Sequence, residues 1–83
     1  MVAQIELLSV THRDYDRSLS LEVFQRSGNR LFVRVCQDGK PLGEKVFRDS
    51  ETQHYDSERW LNDRVGYPNP FAGILSQQQW ETL

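Results

Sequence analysis

The run "SLSLEVFQRSGNRLFVRVCQ" (residues 18–37) constrains this chain more than any other stretch. Apolar and polar residues alternate on both sides of "SGN", as they do in two half-buried strands around a tight turn. Suppose the turn is Ser27, Gly28 and Asn29, with Gly28 or Asn29 in the left-handed conformation such a loop needs. Arg26 then lies opposite Arg30, Phe24 opposite Phe32, Glu22 opposite Arg34 and Ser20 opposite Cys36. On the other face Leu21 meets Val35, Val23 meets Val33 and Gln25 meets Leu31. A two-residue turn would set Phe24 against Val33 and mix the faces. Since a slip of one residue inverts every side chain, the alternation selects the three-residue turn.

This register makes Leu19, Leu21, Val23, Leu31, Val33 and Val35 a core face. It leaves Phe24 and Phe32 side by side on the other face, edged by Arg26, Arg30 and Arg34, with Glu22 in reach of Arg34. A cross-strand aromatic pair contributes about 0.2–1 kcal/mol to a sheet, which is one reason for it to exist. Aromatics and arginine are also the residues enriched where proteins bind one another. Phe24, Phe32, Arg26, Arg30, Arg34 and Glu22 are therefore the candidate partner-binding residues.

The flanking segments extend the sheet. "VAQIELLSV" (2–10) is a strand whose alternation breaks at Leu7–Leu8, leaving its register open, and the polar "THRDYDR" (11–17) reads as a connection. "DGK" after the hairpin supplies the positive φ angles of a type I′ turn and leads into a fourth strand, "LGEKVFRD" (42–49). The period then changes. Ser50 with Gln53 is a capping-box pattern, Asp56 or Ser57 is a competing helix start, and both lead into "ERWLNDRV" with Gly66 placed to end the helix. After the rigid loop "GYPNPF" (66–71), Asn69 as cap and Pro70 as first residue predict a short second helix carrying Phe71, Ile74 and Leu75 on one face. The order predicts an α+β fold, a four-stranded antiparallel meander with one or two helices packed on one face.

Eighty-three residues leave room for one core, so residues 1–83 are expected to form a single domain. A net charge of −2 argues against a purely electrostatic nucleic-acid binder, since such domains are usually basic. Cys36 is the single cysteine, which rules out an intrachain disulfide and suits a reducing compartment. The N-terminus lacks the basic start and long apolar run of a signal peptide, and no stretch is apolar enough for a membrane span. The expected location is the cytoplasm.

Catalytic and metal-binding patterns are missing. His12 and His54 fall in different segments without ligand-spaced companions, and "HRDY" (12–15) sits in a polar turn where its charges are most simply solvated. Cys36 has no evident basic neighbour to activate it. Gly39 and Gly43 read as hairpin glycines, not as a phosphate-binding loop. Trp60 is expected to pack its helix on the sheet and Trp80 to seal the C-terminal end. No enzyme activity, metal or cofactor is expected.

Two resemblances bear on the partner. "RLFVRVCQDGKPLGEKVFRDSE…WL" resembles the three-stranded-sheet-plus-helix DNA-binding domains of integrase arms and plant AP2-type factors over about half the chain. That resemblance implies DNA contact by Arg26, Arg30 and Arg34, although Glu22 and Glu44 share their face. "IELLSVTHRDY" (5–15), "GKPLGEKVF" (39–47) and "SERWL" (57–61), in that order, resemble a family of small phage-encoded anti-CRISPR proteins that inhibit type I-F surveillance complexes. The second resemblance spans about two-thirds of the chain and implies the same meander-plus-helices fold. It also implies binding to the backbone subunits of the complex, which obstructs pairing of guide RNA with target DNA. The family's sheet-borne contact residues, tyrosines and an acidic residue, fall here on Leu7, Phe24 and Cys36, of which Phe24 alone keeps an aromatic. Extra residues before Trp60 and in the 15–24 region also set this chain apart.

Taken together, the expected function is a non-enzymatic protein-binding inhibitor that acts in the host bacterium as a monomer or weak homodimer. A small DNA-binding module is the alternative.

Overall fold

The computed structural model describes residues 4–77. Its strands are β1 (Gln4–Arg13), β2 (Ser18–Arg26), β3 (Arg30–Gln37) and β4 (Lys40–Phe47), followed by helix α1 (Gln53–Val65) and the single turn α2 (Ile74–Gln77). The strands form one antiparallel sheet in the order β1-β2-β3-β4, the expected meander in an α+β arrangement. Residues 2 and 3 of the first strand expected from sequence, and Trp80, lie outside the described residues.

The central hairpin has the register that the alternation selects, from Ser20–Cys36 through Phe24–Phe32 to Arg26–Arg30. Both Gly28 and Asn29 take positive φ, 77° and 56°, so two turn residues are left-handed where one was required. Asp38 and Gly39 do the same at 52° and 81°, as a type I′ turn demands.

The break at Leu7–Leu8 in β1 is a bulge. Glu6 pairs with Phe24 but Leu8 pairs with Val23, leaving Leu7 as the extra residue. Without it Leu8 would fall opposite Glu22 and turn away from the core. With it, Leu7, Leu8 and Val10 all pack against the buried cluster. β1 also runs further than expected: Thr11, His12 and Arg13 pair with Ser20, Leu19 and Ser18, so only residues 14–17 make the turn. A second irregularity in β4 brings Pro41 opposite Cys36 and Gly43 opposite Val35. That strand begins at Lys40 and ends at Phe47, two residues earlier at each end than the sequence pattern indicates.

α1 covers one face of the sheet with a stripe spaced by four, namely Gln53, Ser57, Leu61 and Val65. Leu61 and Val65 join Phe71, Leu75, Phe47 and the six aliphatics of the hairpin in one core. Trp60 does pack the helix on the sheet, edge-on to Phe47 with ring centroids 5.8 Å apart. Gly43 is not a hairpin glycine. It lies within β4 beneath α1, where an added Cβ would come within 3.1 Å of the Trp60 ring and 3.2 Å of Arg64 Cδ.

The helix starts earlier than its clearest signal. Thr52 is the N-cap without a side-chain cap bond, and the Thr52 hydroxyl instead donates to Asp56 at 2.9 Å. Gln53, which the capping-box pattern directs back to Ser50, turns inward. Its amide nitrogen Nε2 donates to the carbonyls of Asn29 (2.7 Å) and Phe47 (3.1 Å). Gly66 ends the helix with φ 78°, its N–H donating to Asn62 O at 2.9 Å. Arg17 reaches over from the β1–β2 turn to the carbonyls of Val65 (3.4 Å) and Pro68 (2.6 Å), a cation where the helix dipole favours one. Residues 70–73 form turns, with Asn69 Oδ1 accepting the Phe71 N–H at 2.9 Å, and the second helix begins at Ile74. Phe71 and Leu75 are nonetheless buried as expected.

Candidate functional site

The helices cover one side of the sheet, and the other side carries every candidate binding residue. Strand alternation and the registers arrange this open face in rows across the sheet. The row nearest the β2–β3 turn is Gln4, Arg26 and Arg30. Next come Glu6, Phe24, Phe32 and Val46, then Ser9, Glu22, Arg34 and Glu44. Thr11, Ser20, Cys36 and Pro41 follow, and Arg13 with Ser18 makes the last row.

At the centre, the rings of Phe24 and Phe32 are tilted by 39° with centroids 6.1 Å apart. Both are half-buried because arginines lie on them. The Arg26 guanidinium carbon is 4.2 Å from the Phe32 centroid, and Arg26 Nε donates to Gln4 Oε1 at 3.2 Å. The Arg34 guanidinium stands 5.9 Å from the Phe24 centroid and 5.8 Å from that of Phe32. Its Nε faces Glu22 Oε1 at 3.4 Å, an ion-pair contact rather than a hydrogen bond. Contacts of this kind between a cation and a ring contribute about 0.5–1 kcal/mol at exposed sites. They also keep both guanidinium groups beside the aromatic pair. Arg30 is exposed beside Arg26, and Glu44 is exposed beside Arg34.

All six predicted residues are thus brought together on one face, with Glu22 on Arg34 as the hairpin register implies. Sequence reasoning missed Gln4, Glu6, Arg13 and Val46. The first two were hidden by the bulge, whose only sequence trace is the doublet Leu7–Leu8. Val46 was hidden by the irregularity in β4. Of the positions that the anti-CRISPR resemblance aligns with contact residues, Phe24 and Cys36 lie on this face, whereas Leu7 occupies the bulge and packs against the core.

The face mixes both signs, Arg13, Arg26, Arg30 and Arg34 with Glu6, Glu22 and Glu44. A duplex-binding surface neutralises phosphates and keeps carboxylates away from them, so this mixture disfavours DNA.

Elsewhere, His12 is exposed in β1 and His54 lies in α1, where burial lowers its pKa below the ordinary 6.5. Among the described residues no group of His, Cys, Asp and Glu is placed to hold a metal ion. No helix among them is long and apolar enough to cross a membrane. Cys36 is a half-buried free thiol between Ser20 and Pro41. No family model, curated protein or solved structure matches the chain.

Proposed function

We propose that this chain is a non-enzymatic protein-binding inhibitor whose open sheet face docks on its partner. The observation that carries the reading is the Phe24–Phe32 pair, overlain by Arg26 and Arg34 on a face of mixed charge. Aromatic and arginine side chains desolvate favourably against another protein. Their mutual stacking here pre-orders them, which reduces the entropy lost on binding.

The resemblance to type I-F anti-CRISPR proteins names the partner: the backbone subunits of a surveillance complex in the cytoplasm of the bacterial host. Binding there occludes the channel in which guide RNA pairs with target DNA. Phe24 and Phe32 act as anchors, and the arginines with Glu22 orient the contact.

The test is co-elution with a purified type I-F surveillance complex, together with target-DNA binding by that complex. Stoichiometric co-elution and loss of DNA binding, both abolished by Phe32→Ala, support the reading. A complex that ignores the protein rejects this partner.

The second reading is a DNA-binding module, favoured only by the adjacency of Arg26 and Arg30 on an open sheet. For it, duplex binding by the isolated protein must weaken in Arg30→Ala and Arg34→Ala and show a flatter salt dependence.

A further inference from the structure

Between the β2–β3 turn and the Glu22–Glu44 row the charges on the open face are sorted by position, and Arg13 lies two rows beyond that stretch, next to the β1–β2 turn. Arg26 and Arg30 pair across the strands at the end next to the β2–β3 turn, with Gln4 as their neutral neighbour. Carboxylates begin in the next row with Glu6 and continue with Glu22 and Glu44. Arg34 lies between those last two and has its Nε on Glu22 at 3.4 Å, so that row keeps a net negative charge. Same-face residues two apart on a strand are about 7 Å apart, which puts the backbone of the arginine row about 13 Å from that of the Glu22–Glu44 row; the Arg26 guanidinium leans onto the Phe32 ring, so Arg30 marks the cationic end. The aromatic pair lies midway.

We propose, resting on the reading that this face docks a protein, that the docking is polar along the strands. The partner presents an acidic side chain to Arg26 and Arg30, an apolar side chain to Phe24 and Phe32, and a basic side chain to Glu22 and Glu44. Arg34 is a positioning residue in this scheme, neutralised by Glu22 and standing 5.9 and 5.8 Å from the Phe24 and Phe32 centroids. Helical residues eight apart are about 12 Å apart along the axis, so one helix of the partner matches the pattern with acid, apolar residue and base at successive spacings of four. Opposite charges at the two ends of this stretch set the direction of docking. Reversal would place arginine against a base and glutamate against an acid, and like-charge juxtaposition at an interface suppresses the wrong orientation.

A second copy of the chain fits less well. A two-fold axis along the aromatic row sets Arg26 against Glu22 of the copy, but it also sets Glu6 against Glu6 and Arg30 against Arg34.

The test uses the full chain and three synthetic helical peptides that share a central leucine and differ at two positions eight apart. One carries Glu and Lys, one Glu and Glu, one Lys and Lys. Binding is followed through the backbone amide resonances of the open face at low salt. The mixed peptide is expected to bind about tenfold more tightly than either uniform peptide. A nitroxide at its glutamate end should broaden the amides of Arg26 and Arg30, and in the double variant Arg30→Glu, Glu44→Arg the broadening should move to the Cys36–Glu44 end.

Tightest binding of the all-acidic peptide would make the face a plain anion site and overturn the proposal. So would absence of any shift on the face, or shifts that depend on protein concentration alone, which mean self-association. Failure to bind the surveillance complex leaves these outcomes untouched, because it rejects the partner's identity and not the polarity of the face.

Discussion

Arg26 lies over the ring of Phe32, its guanidinium carbon 4.2 Å from the centroid, while Gln4 accepts from its Nε at 3.2 Å. The contact joins a side chain of β2 to a ring of β3 and a carboxamide of β1, so three strands define the centre of the candidate site. Phe32→Ala removes the ring that Arg26 and Arg34 both use but touches nothing in the core. The expected cost to stability is about 1 kcal/mol, the sum of a cross-strand aromatic pair and an exposed cation–ring contact. Urea unfolding should therefore show a modestly lower midpoint with an unchanged slope. Partner binding should fall by at least tenfold, since aromatic anchors carry about 2 kcal/mol or more at protein interfaces. A variant that keeps full affinity places the site elsewhere.

Gln53 is a buried polar side chain that ties three elements, donating from the start of α1 to the carbonyls of Asn29 and Phe47. Gln53→Leu keeps the volume and removes both bonds, leaving two carbonyls unsatisfied, at a cost of about 1–3 kcal/mol. Hydrogen exchange should accelerate first at the turn of residues 27–29, which this amide holds in place. Exchange that speeds up uniformly, with no excess at that turn, would argue against the latch.

Gly43 has no side chain because Trp60 and Arg64 occupy the space above it, 3.1 and 3.2 Å from where a Cβ would stand. Arg64 can swing aside, but the Trp60 ring is backed by Phe47. Overpacking costs about 1–3 kcal/mol, and replacing a strand glycine returns about 0.5–1 kcal/mol of backbone entropy. Gly43→Ala is therefore expected to destabilise by about 1 kcal/mol, and Gly43→Val by more. Pairing Gly43→Ala with Trp60→Leu should recover part of the loss in a double-mutant cycle. Simple additivity of the two would show that the ring is not what excludes the side chain.

Burial lowers the pKa of His54 below 6.5 by disfavouring the charged imidazole. As pH falls, the unfolded chain takes up this proton before the folded one does, so protonation favours unfolding. The stability involved is fully present above pH 6.5 and is lost as pH falls through the lowered folded value. Wild-type protein should unfold at lower urea at about pH 5.5 than at about pH 7.5, and His54→Gln should lessen that difference. An equal difference in the variant assigns the pH dependence to other groups.

The helix was less legible than the sheet. Local signals offered Gln53 as a capping residue and Asn69–Pro70 as the start of a second helix. In the fold, Gln53 satisfies carbonyls of the β2–β3 turn and of the end of β4, and Asn69 caps a turn that becomes helical only at Ile74. Each is a short polar signal whose outcome depends on which unsatisfied groups the tertiary structure brings within reach.

The central hairpin was determined by the sequence alone, because strict alternation over two strands leaves one turn length that keeps the aliphatics together. Phe24, Phe32, Arg26, Arg30, Arg34 and Glu22 follow onto one face from that count, and so does the pairing of Glu22 with Arg34. The tertiary structure decided what surrounds them. The bulge at Leu7 set which residues of β1 face outward, bringing Gln4 onto Arg26 and Glu6 beside Phe24. The irregularity in β4 placed Val46 beside Phe32 and put Gly43 under Trp60. A bulge changes register by one residue while leaving composition untouched. Its position depends on which side chains the core must accept, and that is settled only when the neighbouring strand and the helix are in place.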